Sequence, residues 1–189
     1  MKVIIAKDYD EMSRKAADFI INFMIEKPQA KFGFATGSTP IGLYENLAKA
    51  SKEGEISFKY AKEYDELLDK FGKRDIQILG LGPNGHLAFN EPDEKLNRRT
   101  SIIKLTDETI EANSRFFANK DEVPKYAISM GMEDVFNANT LVVLANGKNK
   151  HEVVKRIIEE DTIYPEFPAS FLHLHPNAYL FVDEEAYNG

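Results

Sequence analysis

Short apolar runs alternate along this sequence with longer amphipathic segments, and this alternation constrains the fold more than any other feature. The runs have the length of β-strands and cover residues 3–6, 32–35, 76–81, 141–145 and 178–182. Between them, apolar residues recur at helical spacing, as in residues 16–24 and 153–158. Such alternation predicts an α/β fold of three layers, a mostly parallel, Rossmann-like sheet with helices on both faces. No repeat or Gly/Ser-rich linker interrupts the pattern, so we expect a single domain over residues 1–189.

The composition excludes several classes of function. A net charge of -7 argues against a general nucleic-acid binder, which needs clustered positive charge. The chain has no cysteine, so disulfides, thiolate metal sites and a cysteine nucleophile are ruled out. No apolar run approaches the length of a membrane-spanning helix. We therefore expect a soluble, cytoplasmic protein that binds neither nucleic acid nor a membrane.

The first loop that carries chemistry covers residues 34–41, between a predicted strand and a predicted helix. In parallel sheets, ligands bind beyond the carboxyl ends of the strands. Gly37 can expose backbone N–H groups there, and Ser38 and Thr39 add hydroxyl donors. Pro40 suits a first helical turn, so the helix dipole would favour an anion such as phosphate. The alternative is an ordinary capped start of a helix.

The second loop, residues 79–92, also follows an apolar strand and contains three glycines within six residues. His86 and Glu91 lie on it five residues apart. An imidazole titrates near neutral pH, and a carboxylate can fix its tautomer and support its protonated form. The pair is therefore a candidate for proton transfer, although a lone loop histidine is more often structural or solvated.

Two basic residues are candidates for binding a phosphate. Lys150 follows the strand at 141–145, and Arg115 could make a forked, bidentate contact with the same group. The alternative for either residue is a solvated surface charge. His173 and His175 have the spacing of a metal-ligand pair, but without a third ligand cluster nearby we predict a packing role and no metal site.

Several of these segments, namely residues 35–40, 85–92, 112–117 and 123–131, resemble the glucosamine-6-phosphate deaminase (isomerase) family. Its wider superfamily also includes 6-phosphogluconolactonases. The resemblance implies conversion of glucosamine 6-phosphate to fructose 6-phosphate with release of ammonia, in amino-sugar catabolism. It implies no metal and no organic cofactor.

The same resemblance implies roles for individual residues. His86 would act on the ring oxygen when the pyranose opens, oriented by Glu91 and by Asn84, where the family often has Asp. The phosphate would be held by a set of residues from separate loops: Gly37, Ser38, Thr39, Arg115 and Lys150.

This chain departs from the family after residues 57–59. The family continues there into a strand that ends in an Asp-Glu-Tyr motif, whose Asp takes the proton from C2, and then into part of a lid. Both segments are predicted to be missing here. Glu63 and Asp65 lie on the solvent side of a predicted helix and are poor substitutes.

Three hypotheses follow for a chain whose partner is a phosphorylated amino sugar. The first is a glucosamine-6-phosphate deaminase. The second is a sugar-phosphate-binding homologue with little turnover because the base is missing, and the third is a 6-phosphogluconolactonase-like hydrolase. We expect a monomer or a small homo-oligomer.

Overall fold

The computed structural model describes residues 1–35, 37, 39–52, 72–98, 101–114, 119–123 and 125–189. The strands are β1 (Lys2–Ala6), β2 (Phe32–Gly33), β3 (Arg74–Gly80), β4 (Ser101–Lys104), β5 (Tyr126–Ser129), β6 (Ala138–Ala145) and β7 (Ala178–Asp183). The α-helices of these residues are α1 (Tyr9–Glu26), α2 (Ile41–Lys52), α3 (Asp107–Asn113), α4 (Met132–Phe136), α5 (His151–Glu159) and α6 (Glu184–Asn188). Short 3-10 helices cover Lys120–Glu122, Lys148–Lys150 and Pro168–Leu174.

Within the described residues, the main sheet has five strands in the order β1-β7-β6-β3-β2, and every neighbouring pair is parallel. After β2 at one edge, the chain returns strand by strand through β3, β6 and β7 towards β1 at the other edge. Because all five strands run in the same direction, their carboxyl ends lie together at one end of the sheet. The predicted mostly parallel α/β fold is confirmed.

Both faces of the sheet are covered, which explains why its central strands are almost uninterrupted apolar runs. Along β6, Leu141 and Val143 contribute to a core beneath α5, α6 and residues 168–174. Val142 and Leu144 point to the opposite face and pack beneath α1 and α2. Replacing a leucine as buried as Leu144 by alanine would cost about 2–5 kcal/mol.

Helix α1 shows how local sequence signals agree with packing. The side chain of Asp8 caps its start, where Oδ1 accepts a hydrogen bond of 2.7 Å from the Glu11 N–H. Met12, Ala16 and Ile20 then recur every four residues and are buried against the sheet. No helix in the described part of the chain is long and apolar enough to cross a membrane.

Two details differ from the sequence-based expectation. The strand expected at residues 32–35 is shorter, because β2 has only two residues, Phe32 and Gly33. In addition, β4 and β5 form a separate antiparallel pair that the sequence analysis did not predict. Each has four residues, too few to produce a convincing pattern of alternating hydrophobicity.

Candidate active site

The loop after β3 holds the His86 imidazole close to the backbone. The Gly82 N–H donates to the His86 carbonyl oxygen at 3.0 Å, and the Gly85 N–H donates to the Gly82 carbonyl oxygen at 3.0 Å. Gly85 has φ 88°, a left-handed conformation that favours glycine. A β-carbon at Gly82 would overlap the His86 ring. Two of the glycines noted in the sequence are thus required by the turn that presents the histidine.

A buried asparagine fixes the far end of this loop. The Asn90 amide nitrogen donates to the Leu87 carbonyl oxygen at 3.0 Å and to the Met130 carbonyl oxygen at 2.9 Å. Ala88, between Leu87 and Asn90, has φ 55°, a conformation that costs an alanine about 1–2 kcal/mol. The loop is therefore held in one strained, well-defined shape just before Glu91.

His86, Asn84 and Glu91 form one hydrogen-bonded group. His86 Nδ1 lies 2.8 Å from Asn84 Oδ1 and 3.2 Å from Glu91 Oε2. The Asn84 amide nitrogen donates to the same Glu91 oxygen at 2.7 Å. Because both neighbours of Nδ1 are acceptors, Nδ1 carries the proton and the lone pair of neutral His86 is on Nε2.

Glu91 is a carboxylate throughout the physiological pH range. Burial opposes its ionisation, but hydrogen bonds from His86, Asn84 and Thr109 outweigh burial and lower the pKa of Glu91 to about 2. Its side chain is 15% exposed and that of His86 is 23% exposed. A fixed negative charge therefore lies beside an imidazole that solvent or a ligand can still reach.

The loop before α2, which the sequence analysis gave as residues 34–41, is also described in part. Gly37 has φ 101°, and the chain turns at Thr39 and Pro40 into α2. The Tyr9 hydroxyl of α1 donates to the Thr39 carbonyl oxygen at 3.1 Å and accepts from the Gly42 N–H at 2.9 Å. Tyr9 thus ties the start of α2 to α1. Ser38, also predicted to bind phosphate, lies outside the described residues.

Lys150 follows β6 through a turn that an aspartate holds. The Gly147 N–H lies 3.0 Å from each carboxylate oxygen of Asp183, and Gly147 has φ 83°. The Lys150 side chain is partly buried, and this burial lowers its pKa to about 8. Within the described ranges its ammonium has no hydrogen-bond or ion-pair partner. Arg115, the other predicted phosphate ligand, falls outside those ranges.

The order of the strands brings these three loops together. The loops that carry Gly37, His86 and Lys150 follow β2, β3 and β6, which are neighbours in the sheet. Adjacent strands lie about 4.8 Å apart, so the two outer loops start about 10 Å from each other. The Leu81 N–H donates to the Leu144 carbonyl oxygen at 3.1 Å and joins two of the loops at their bases. A ligand about 10 Å long could therefore reach from one outer loop to the other.

The two C-terminal histidines bind backbone oxygens. His173 Nε2 lies 2.9 Å from the Ile157 carbonyl oxygen, and His175 Nε2 lies 3.0 Å from the Ala138 carbonyl oxygen. These contacts suit the packing role expected for both. A cavity of about 710 Å³ opens beside His175, but it lies at the amino ends of the strands, away from the loops described above.

Three residues of this region escaped the sequence analysis. Thr109 was not predicted because it lies 18 positions from Glu91 and looks like an ordinary residue of a helix start. Tyr9 was not predicted because it lies 30 positions from Thr39, whose carbonyl oxygen its hydroxyl contacts. Asp183 carried a detectable signal, because an aspartate that ends an apolar strand and precedes a helix is a common cap.

Comparison with known proteins decides the family. Residues 54–180 match the family of glucosamine-6-phosphate isomerases/6-phosphogluconolactonases. The chain belongs to this family. A glucosamine-6-phosphate deaminase from Halothermothrix orenii is 39% identical, in an alignment covering 98% of both chains. One from Clostridioides difficile is 34% identical, with 98% of this chain and 95% of the relative covered.

Solved structures of the family agree in fold. The structure of a monomeric glucosamine-6-phosphate deaminase superposes with a TM-score of 0.89 at 32% identity and covers 98% of both chains. A 6-phosphogluconolactonase from Shewanella baltica gives a TM-score of 0.69 at 14% identity, with 97% of both chains covered. At that identity, the lactonase supports the fold alone.

The alignment also measures how much shorter this family member is. It runs over 238 residues for the Halothermothrix relative, whereas the whole of this chain has 189. At least 49 residues of the relative therefore have no counterpart here. This agrees with the predicted loss of a segment, although its position after residue 59 stays a prediction because residues 53–71 lie outside the described part.

Proposed function

We propose that this chain is a glucosamine-6-phosphate deaminase, which converts glucosamine 6-phosphate and water to fructose 6-phosphate and ammonia. The observation that carries the proposal is the hydrogen-bonded His86–Asn84–Glu91 group. Its loop follows a strand that lies between the strands leading to Lys150 and to α2. The family membership and the names of the relatives support the same activity.

The phosphate would bind between the start of α2 and Lys150. Backbone N–H groups at Gly37 and Thr39, together with the dipole of α2, favour an anion. A partly buried ammonium without a partner in the described part of the chain is costly unless an anion binds it. We assign Ser38 and Arg115 to the same phosphate on the family resemblance.

His86 would open the sugar ring. As the C1–O5 bond breaks, O5 gains a proton and the C1 hydroxyl loses one, so a single group that carries a proton between them suffices. Nε2 of His86 is suited to this because Nδ1 is engaged by Asn84 and Glu91. The negative charge of Glu91 supports the imidazolium that forms during the transfer.

A second candidate function is sugar-phosphate binding with little turnover. The specific observation behind it is the shortening by at least 49 residues relative to the Halothermothrix deaminase. If the lost segment includes the base that moves a proton from C2 to C1, isomerisation would be about 10²- to 10⁴-fold slower. Ring opening and phosphate binding would be kept.

The experiment that separates these functions measures binding and turnover on the same protein. Calorimetry gives the dissociation constant for glucosamine 6-phosphate, and coupled assays follow ammonia and fructose 6-phosphate. Equal release of both products supports the deaminase, whereas binding without product supports the second candidate. Hydrolysis of 6-phosphogluconolactone in place of either result would support a lactonase, and no binding would refute all three.

A variant tests the role of the histidine in the same assays. His86→Gln should lower kcat by about 10²- to 10⁴-fold and leave the dissociation constant for the sugar phosphate nearly unchanged. His173→Gln is the matched control, since the His173 imidazole contacts the Ile157 carbonyl oxygen and has no proposed role in the reaction. Full activity of His86→Gln would reject the assignment.

A further inference from the structure

Thr109, in the first turn of α3, contacts the acidic member of the proposed catalytic group. Its hydroxyl Oγ1 donates to Glu91 Oε1 at 2.9 Å. The other oxygen of that carboxylate, Oε2, faces Asn84 and His86. The two oxygens therefore have separate partners, and rotation of the carboxylate about its last bond would break both sets of contacts.

The ionisation of Glu91 decides which group donates in each of these hydrogen bonds. Ionised Glu91 can only accept, so the single hydroxyl proton of Thr109 points towards it. Thr106, whose side chain caps α3, must then donate its own hydroxyl proton to Thr109 Oγ1, at 3.1 Å. The Thr109 backbone N–H in turn donates to Thr106 Oγ1 at 3.2 Å. Thr109 is thus held from its own helix while its proton is directed at the carboxylate.

Burial makes this contact rigid. Thr109 is 8% exposed, so water has little access to replace its hydroxyl. A β-branched side chain also has few rotamers available within a helix. The start of α3 consequently fixes the plane of the Glu91 carboxylate, and that plane decides whether Oε2 faces His86.

We propose that Thr109 is a positioning residue for His86, which acts by fixing the Glu91 carboxylate so that the imidazole keeps its proton on Nδ1. The inference rests on the proposed function for its kinetic consequence. The tautomer of His86 does not depend on turnover and is measured separately.

The test compares Thr109→Val, which keeps the shape and removes the hydroxyl, with Thr109→Ser, which keeps the hydroxyl. Thr109→Val should lower kcat about 10-fold while KM changes less than about twofold, because the phosphate contacts are untouched. Thr109→Ser should recover most of the lost kcat. Thr140→Val on β6, another buried threonine, is the matched control and should leave kcat unchanged.

The readout that is independent of turnover is the ¹⁵N spectrum of the His86 imidazole at a pH where the ring is neutral. In the wild-type protein and in Thr109→Ser, the Nδ1–H tautomer should predominate. In Thr109→Val, the Nε2–H tautomer should appear beside it. This shift should be seen even if the wild-type chain binds the sugar phosphate without turning it over.

Two results would overturn the inference. One is a Thr109→Val protein whose imidazole spectrum matches that of the wild type. The other is an equal loss in Thr109→Ser and Thr109→Val, which would mean that the side chain matters only for packing. If the Nε2–H tautomer appears in Thr109→Val but the wild-type chain has no deaminase activity, the proposed function is refuted and the inference stands.

Discussion

Replacing Lys150 by methionine should weaken phosphate binding and stabilise the unliganded protein at the same time. Burial lowers the pKa of Lys150 from 10.5 to about 8, which corresponds to a penalty of about 3 kcal/mol on the folded state when the group is charged. Partial solvent screening reduces this to about 1–2 kcal/mol. Methionine has a similar length and carries no such penalty.

The sign of the stability effect follows from where the proton is held more tightly. The unfolded chain keeps the proton of this lysine up to about pH 10.5, whereas the folded chain loses it near pH 8. The penalty is therefore complete below pH 8 and disappears as the pH rises towards 10.5. At pH 7, Lys150→Met should raise the melting temperature by about 2–8 °C, as expected for about 1–2 kcal/mol in a chain of this size.

The effect on binding has the opposite sign. A hydrogen bond between an ammonium and a phosphate contributes about 1.5–3 kcal/mol, so its loss should weaken binding of glucosamine 6-phosphate about 10- to 100-fold. Calorimetry and thermal unfolding measure the two effects on one protein. Lys148→Met is the matched control, because Lys148 lies on the same turn with an exposed side chain. An unchanged dissociation constant in Lys150→Met, or a lower melting temperature, would refute the reasoning.

Three further predictions concern the same loops. Affinity for a phosphorylated sugar should be highest near pH 7–8, where the phosphate is a dianion, and should fall as Lys150 loses its proton above pH 8; calorimetry between pH 6 and 10 checks this. Gly82→Ala should displace the His86 ring and lower kcat at least about 100-fold with little change in phosphate affinity, and unchanged kcat would contradict the proposed geometry. Asp183→Ala should release the Gly147 turn, cost about 1–3 kcal/mol in urea unfolding and weaken phosphate binding, so an equally stable variant of normal affinity would argue against this role.

The fold was predictable because its signals are local and strong. The apolar runs at 141–145 and 178–182 are buried on both faces, and they appear as β6 and β7 with nearly the expected bounds. By contrast, β2 contributes only two residues to the sheet, a limit set by pairing with β3 that no property of residues 32–35 reveals. The antiparallel pair of β4 and β5 depends on contacts between segments about 25 residues apart.

The candidate site was predictable where its residues are close in sequence. Asn84, His86 and Glu91 lie on one loop, and their contacts follow from that spacing and from the glycines around them. Thr109 contacts Glu91, and Asp183 contacts Gly147, across distant segments of the chain. Asp183 could be recognised from the sequence as a helix cap, but these two contacts became visible only in the folded chain. The expected contributions of Ser38 and Arg115 to phosphate binding stay predictions.

The most direct test of the account is a crystal structure with a reduced, open-chain analogue of glucosamine 6-phosphate, which cannot isomerise. We predict that its phosphate lies within hydrogen-bond distance of Lys150 Nζ and of the backbone N–H groups near Gly37. The oxygen on C5 should then lie beside His86 Nε2. A phosphate bound away from Lys150, or a sugar chain that leaves His86 without a contact, would contradict the account.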